Sequence, residues 1–261
     1  MGKKAKNTPQ AWEEGTRSQL ADIRAHVNTA FDKYYGDGQL GLSPEEYTQF
    51  VAILRTPLPV TFRLSGCPSS THALALRDAM VAEYVPTLRA ALPSPPQPLP
   101  WYPAQLAWQF DVSRAELRGK GAAADAPPPA GAATLAAFHA WLLDGTETGR
   151  VQRQELVSMV PTLLLGVAPG HRVLDMCASP GSKTQQLIEW LDGRGLVVAN
   201  DADRKRCHLM VSRASKLLSP LLFAVNHDAR LLPEELTGAD GINAPWRFDR
   251  VLCDVPCSGD G

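Results

Sequence analysis

The spacing of apolar positions changes near the middle of the chain. Before about residue 130 they recur mostly at helical intervals; beyond it they gather into short runs separated by helical stretches. In the first half, residues 18–35 and 44–54 carry the three-to-four-residue rhythm of amphipathic helices. The second of these opens with Pro44 at a first-turn position, behind Ser43 as N-cap. The short, proline-flanked apolar run 58–64 predicts a strand. Helical spacing returns over 69–92, with Ser69, Ser70 or Thr71 as cap and Pro86 placed to kink it. Five of the eight residues 93–100 are proline, which predicts an extended connector. The Ala/Pro/Gly-rich stretch 119–133 predicts a flexible surface loop.

The second half reads differently. Residues 173–176, 196–200, 221–225 and 250–255 are short apolar runs, and helical patterns at 183–191 and 204–218 separate the first three. Buried parallel strands alternating with helices produce this pattern, so the expected fold class is α/β, with a doubly wound, Rossmann-like core. Each run ends near an acid: Asp175, Asp201, Asp228 and Asp254. Ligands of open α/β sheets bind beyond the carboxyl ends of the strands, so these acids should collect along one rim. The expected organisation is a basic tail (1–17), a small α+β N-terminal domain (18–118), the loop (119–134) and the first four strands of the α/β core (135–261).

Composition adds limits. With 261 residues, 44% hydrophobic and 20% charged, the chain suits one large or two modest globular domains. A net charge of -1 argues neither for nor against a nucleic-acid partner; only a local basic face could matter. The cysteines Cys67, Cys177, Cys207, Cys253 and Cys257 are odd in number, and no apolar signal stretch follows the N-terminal lysines, so a reducing cytosolic or nuclear setting is expected. No apolar run approaches the roughly 20 residues of a membrane span, so no membrane partner is expected. Cys253 and Cys257 lack a second Cys/His pair at metal-binding spacing, so no metal is expected either. Cys253 alternates away from Asp254 along its strand and is expected in the core. Lys3, Lys4 and Lys6 form a basic start that is either a solvated terminus or a phosphate contact or address. The basic run Arg204, Lys205, Arg206, Arg213 and Lys216 is either a solvated helix face or in part an RNA contact.

The segment Asp175-Met176-Cys177-Ala178-Ser179-Pro180-Gly181-Ser182-Lys183-Thr184 joins the first core strand to its helix. Small residues let the backbone approach a ligand, and the helix start offers free N–H groups. A phosphate-cradling P-loop would need glycine where Cys177 and Ser182 stand, and the dinucleotide G-x-G-x-x-G fingerprint is missing. S-adenosyl-L-methionine has no triphosphate to wrap and needs less glycine. Asp201 is placed to take its ribose hydroxyls, and Asp228 could accept from its adenine amino group. The plainer alternative is a tight strand-to-helix turn with capping acids.

From Arg153 onward the chain resembles the Sun family of RNA (cytosine-5)-methyltransferases, in particular its eukaryotic tRNA-methylating branch. The resemblance rests on Arg153-Gln154-Glu155 with Val157-Ser158-Met159-Val160-Pro161, on the loop 175–184, on Asn200-Asp201-Ala202-Asp203 with Lys205-Arg206-Cys207, on Asn226-His227-Asp228, and on Cys253-Asp254-Val255-Pro256-Cys257-Ser258-Gly259-Asp260-Gly261. Trp101-Tyr102-Pro103 to Trp108, near Arg114, also looks like that branch. Ser179 stands where the family usually has alanine, and the Ala/Pro loop looks like an insertion.

The resemblance implies an S-adenosylmethionine-dependent methyltransferase that acts on carbon 5 of cytosine in RNA, with tRNA as the expected partner and a nuclear location; the sequence does not give the oligomeric state, for which a monomer is favoured. Carbon 5 becomes nucleophilic only after a thiolate adds to carbon 6, while an acid hydrogen-bonds the ring nitrogen and exocyclic amine. Bare chemistry would make Cys257 that nucleophile. The family pattern instead takes the attacking cysteine from a later Thr-Cys motif and gives Cys257 to product release. It places Asp254 on the base or cofactor and Lys183 near both. The expected cofactor residues are Cys177 (mainly through its backbone), Ala178, Ser179, Pro180, Gly181, Ser182, Lys183, Asp201, Asp228 and Asp254. Since no cysteine here follows threonine, the 261 residues are expected to be a C-terminally truncated, catalytically silent form. The other readings are a non-catalytic RNA- or S-adenosylmethionine-binding protein, and a methyltransferase for a small molecule or protein, against which the Asp-x-Pro-Cys motif argues.

Overall fold

A computed structural model describes residues 28–56, 58–92, 94–112, 117, 131–237 and 241–257. The basic tail with Lys3, Lys4 and Lys6, the first part of the helix expected over 18–35, Arg114, most of the expected loop 119–133, and Ser258 to Gly261 lie outside the described residues. The chain divides into two compact units, Met1–Leu58 and Pro59–Gly261.

In the first unit, α1 (Thr29–Tyr34) continues into one wide turn, Tyr35–Gln39, and α2 (Pro44–Leu54) follows. The expected Ser43 cap is a reciprocal capping box. Ser43 Oγ accepts the Glu46 N–H at 3.2 Å, and Glu46 Oε2 accepts the Ser43 N–H at 2.8 Å. The Tyr47 hydroxyl donates to Asp32 Oδ1 at 2.9 Å and ties the two helices together.

The second unit begins with β1 (Val60–Leu64), α3 (Thr71–Glu83), α4 (Val85–Ala91), β2 (Gln97–Pro98), β3 (Ala107–Phe110), α5 (Ala132–Glu147) and β4 (Val151–Arg153). Ser70 caps α3 by accepting the Ala73 N–H at 3.3 Å. Pro86 does more than kink the helix expected over 69–92. It sits in the first turn of α4, and the break falls at Tyr84. The strands form an antiparallel sheet in the order β2-β3-β1-β4, with Phe62 paired to Trp108 on one side and Arg153 on the other. β2 is an edge strand within the proline-rich connector, where a missing N–H costs least. Phe62 and Phe110 meet Phe138 and Trp141 of α5; the Phe138 and Trp141 rings stack with centroids 5.7 Å apart. Gly145 lets α5 lie against β4, since a Cβ there would come within 2.4 Å of Val151 Cγ2.

Then come α6 (Leu156–Leu164), β5 (Arg172–Asp175), α7 (Ser182–Trp190), β6 (Leu196–Asn200), α8 (Arg204–Ala214), β7 (Leu222–Val225), β8 (Glu235–Thr237), β9 (Asn243–Pro245) and β10 (Arg250–Leu252). The four expected core strands are all present, parallel, in the order β10-β5-β6-β7, while β8 and β9 form a separate hairpin. Leu252, Asp175, Ala199 and Ala224 lie in register across the sheet, so the strand ends share one rim. The apolar core between the sheet and α7 is Val173, Leu187, Ile188, Leu191, Val197 and Leu252. α8 stops at Ala214 and a 3₁₀ turn covers Ser215–Leu217, shorter than the single helix expected to 218.

One expectation is overturned here. Cys253, expected in the core, is exposed. Pairing of β10 with β5 stops at Leu252, so the inside–outside alternation of a strand no longer governs the next residue. Its Sγ lies 3.1 Å from Met176 Sδ. No described helix is long and apolar enough to cross a membrane.

Phe138 is 1% exposed at the centre of the aromatic cluster, whereas Leu164 is 82% exposed. Phe138→Ala should therefore cost about 3–5 kcal/mol in urea unfolding, and Leu164→Ala less than about 0.5 kcal/mol.

Candidate active site

The loop between β5 and α7 is held by the strand beside it. Asn200, fully buried at the end of β6, donates from Nδ2 to Met176 O and to His227 O, both at 2.9 Å, and accepts the His227 N–H at 3.0 Å. One amide thus fastens three strand-end segments. The Ala178 N–H donates to Asn200 O at 2.7 Å, and the Ser179 N–H to Asp201 Oδ2 at 3.2 Å. Arg206 of α8 closes the clasp, donating to Ser179 O at 2.9 Å while its backbone carbonyl accepts from Ser179 Oγ at 2.9 Å. Ser179 therefore makes a bond that alanine in its place could not. The Ser179–Pro180 peptide is cis, and Gly181, with φ +97°, packs against Met210 of α8 and starts α7 in a conformation that favours glycine.

A cavity of about 60 Å³ opens above this loop, lined by Asp175, Cys177, Ala178, Ser179, Pro180, Ser182, Lys183 and Asp254, with Ser158 of α6 opposite. Seven of the residues singled out from sequence thus meet in one wall. Gly181 shapes the loop from behind. Lys183 Nζ donates to Asp254 Oδ2 at 2.7 Å, which joins the loop to the Asp-Val-Pro-Cys segment after β10. Burial, followed by the nearby Asp201 and Asp175 carboxylates, raises the Cys177 thiol, in keeping with a backbone role.

Asp201 is 5% exposed and already engaged, accepting the Ser179 and Asp203 N–H groups with Arg206 Nε at 3.4 Å. It is joined to the loop through the Ser179 N–H and is not part of the cavity wall. Asp228 follows β7 by three residues, and its carboxylate accepts from Arg230 Nε and Nη2 at 2.5–3.2 Å. Those bonds hold it down at about 2. Cys257 is exposed and outside the cavity wall.

Asp175 emerges as a site residue that its place among the rim acids only hinted at. It is 1% exposed; Oδ2 accepts from Thr184 Oγ1 at 2.8 Å, and Oδ1 makes no hydrogen bond of ordinary geometry. Burial is the main cause that pushes its carboxyl to about 6, against the opposing pull of Thr184. A buried acceptor so weakly engaged is costly, with the Cys177 N–H in support, and Asp175 belongs to the cavity wall. Among the described residues, no group of three or more His, Cys, Asp or Glu side chains is placed to hold a metal ion.

Residues 162–261 match the family described as 16S rRNA methyltransferase RsmB/F. Over 90% of its length the chain is 39% identical to the tRNA (cytosine(34)-C(5))-methyltransferase of Drosophila melanogaster, covering 32% of that protein. It is 40% identical to the multisite-specific tRNA:(cytosine-C(5))-methyltransferase of Saccharomyces cerevisiae, with 90% of this chain and 34% of that protein covered. The chain thus spans about a third of the length of these relatives. In fold it is similar to NSun6 from Pyrococcus horikoshii with SFG: TM-score 0.57, 18% identity, 88% of this chain and 71% of that one.

The Asp175 carboxyl rises from 3.8 to about 6 on folding, so its contribution to stability is full below pH 3.8 and lost as pH climbs through 6. Asp175→Asn should therefore gain about 1–3 kcal/mol over the wild type at pH 7.5 and little at pH 4, read as the difference between urea unfolding curves.

Proposed function

We propose that these residues, which carry a domain of the RsmB/F methyltransferase family, bind S-adenosyl-L-methionine at the sheet rim and present it to a cytosine of RNA, with tRNA as the substrate class. The observation that carries this reading is the 2.7 Å contact between Lys183 and Asp254. It puts the loop that suits the donor and the acid that suits the base into one cavity. The Asp175 carboxyl, whose Oδ1 makes no hydrogen bond of ordinary geometry, fits the same ligand, because the methionine end of the donor brings an ammonium group that such an acceptor can take. When bound, the donor supplies an electrophilic methyl group.

This chain's residues do the rest of the positioning. The backbone of Cys177 to Ser182 offers a close, small-residue approach, with the free N–H groups of α7 at its end. Asp201 would need a remaining lone pair for the ribose hydroxyls, which a carboxylate with two backbone donors retains. Asp228 could serve the adenine only beside its Arg230 contact. Asp254, held by Lys183, would accept from the exocyclic amine of a cytosine swung out of its stack. In this reading attack on carbon 6 comes from a cysteine of a Thr-Cys motif outside these 261 residues, methyl transfer requires a protein that supplies it, and Cys257 acts in product release.

Calorimetry with S-adenosylmethionine tests donor binding: Asp201→Ala should weaken affinity about tenfold or more, the loss of one or two charge-assisted hydrogen bonds. Unchanged affinity would reject the ribose assignment. In a protein that includes the Thr-Cys motif, Asp254→Ala should cut transfer of labelled methyl groups to tRNA by about 100-fold or more, with donor affinity changed far less.

A further inference from the structure

Behind the rim lies a second, larger cavity, about 300 Å³, whose wall includes Thr61 of β1, Arg153, Gln154, Ser158, Pro180 and Ser182. It shares Ser158, Pro180 and Ser182 with the rim cavity, so the antiparallel sheet and the donor loop border neighbouring cavities with a common wall. Two of its lining residues, Gln154 and Ser182, are held by a buried charge. Arg63, in the middle of β1, is 0% exposed. Nε donates to Gln154 Oε1 at 2.7 Å, Nη1 pairs with Glu189, and Nη2 reaches Ser182 O at 3.3 Å.

These contacts grip one helix at both ends. Ser182 is the first residue of α7 and Glu189 lies in its last turn; seven residues apart, they fall on the same face. Gln186, on that face between them, takes up Gln154 Nε2 at 3.1 Å and donates to Met159 O at 3.1 Å and the Tyr102 hydroxyl at 3.3 Å. α7 begins where the donor loop ends, and Ser182 belongs to both.

We infer that Arg63 is a positioning residue for the methyl donor: by spanning α7 from Ser182 to Glu189 it fixes the height of the loop, so that the antiparallel sheet sets donor affinity. The inference rests on the reading of the rim as the donor site. It also makes a distinction between charge and shape. A lysine at 63 could keep the charge opposite Glu189, but a single ammonium group cannot meet Gln154, Glu189 and the Ser182 carbonyl in three directions.

The test compares wild type, R63K, R63M and the charge-free pair R63M/E189M in three measurements: thermal unfolding, calorimetry with S-adenosylmethionine, and amide hydrogen exchange of residues 182–186 without donor. R63K should unfold close to wild type yet bind the donor about fivefold or more weakly, and its 182–186 amides should exchange faster. R63M/E189M, which leaves no lone buried charge, should recover the stability lost in R63M alone while donor affinity stays about fivefold weaker or worse. Wild-type affinity in R63K, or in a stable R63M/E189M, would overturn the inference and leave Arg63 a purely structural residue. If the wild type itself binds no donor, the rim reading falls, and exchange at 182–186 decides alone: faster in R63K upholds the positioning of the loop, and unchanged overturns it.

Discussion

A helix with polar residues on several faces is costly to bury unless most of its polar groups find partners, and α7 meets that condition with two exceptions among the described residues, Glu189 Oε1 and Trp190 Nε1, which make no hydrogen bond of ordinary geometry. Thr184, Gln185 and Gln186 are buried along with Leu187 and Ile188. Thr184 donates to Asp175, Gln185 to the Arg213 carbonyl of α8 at 2.7 Å, and Gln186 to Met159 and Tyr102. Glu189 answers Arg63 from the other sheet. The apolar face packs on the parallel sheet, the polar face on the antiparallel one, and the loop that starts the helix inherits its place from both. Burial raises the Glu189 carboxyl, while Arg63, the Gly66 N–H and Ser65 draw it back. Burial likewise carries the Tyr102 hydroxyl up to about 12, with Arg63 opposing. A pair so placed adds little net stability, yet breaking one side is costly, so it specifies an arrangement more than it strengthens it.

The rim carries a second tension. Asp175 is set in the sheet's interior with one oxygen that makes no hydrogen bond of ordinary geometry, a charge that destabilises the fold at neutral pH. Asn200 does the opposite work: every polar atom of its side chain is used, and it holds three segments still. Rigid support around an unsatisfied acceptor is the arrangement expected where a ligand completes the bonding.

Much of this could be read from the chain because period and punctuation carry it. The four parallel strands are short, mostly apolar runs with an acid or amide at or within two residues of their ends, and Ser43 and Ser70 announce their helices by hydrogen bonds that need no tertiary context. The tight loop between β5 and α7 was legible for the same reason, since small residues between a strand and a helix let the backbone turn closely. What period could not convey is a partner far along the chain. Arg63, Gln185 and Gln186 look like solvent-facing residues until Glu189, Arg213 and Tyr102 are set beside them. The fourth strand of the antiparallel sheet comes from Val151–Arg153, more than 40 residues past β3, a pairing that local pattern does not encode. Cys253 was misplaced because alternation was carried one residue past the end of pairing.

The most direct test of the rim as donor site is a crystal structure of the protein with S-adenosylmethionine. The account predicts electron density in the cavity bounded by Asp175, residues 177–182 and Asp254, with a hydrogen-bond donor of the ligand on Asp175 Oδ1. Density elsewhere on the protein, or a bound ligand that leaves Oδ1 without a partner, would contradict it.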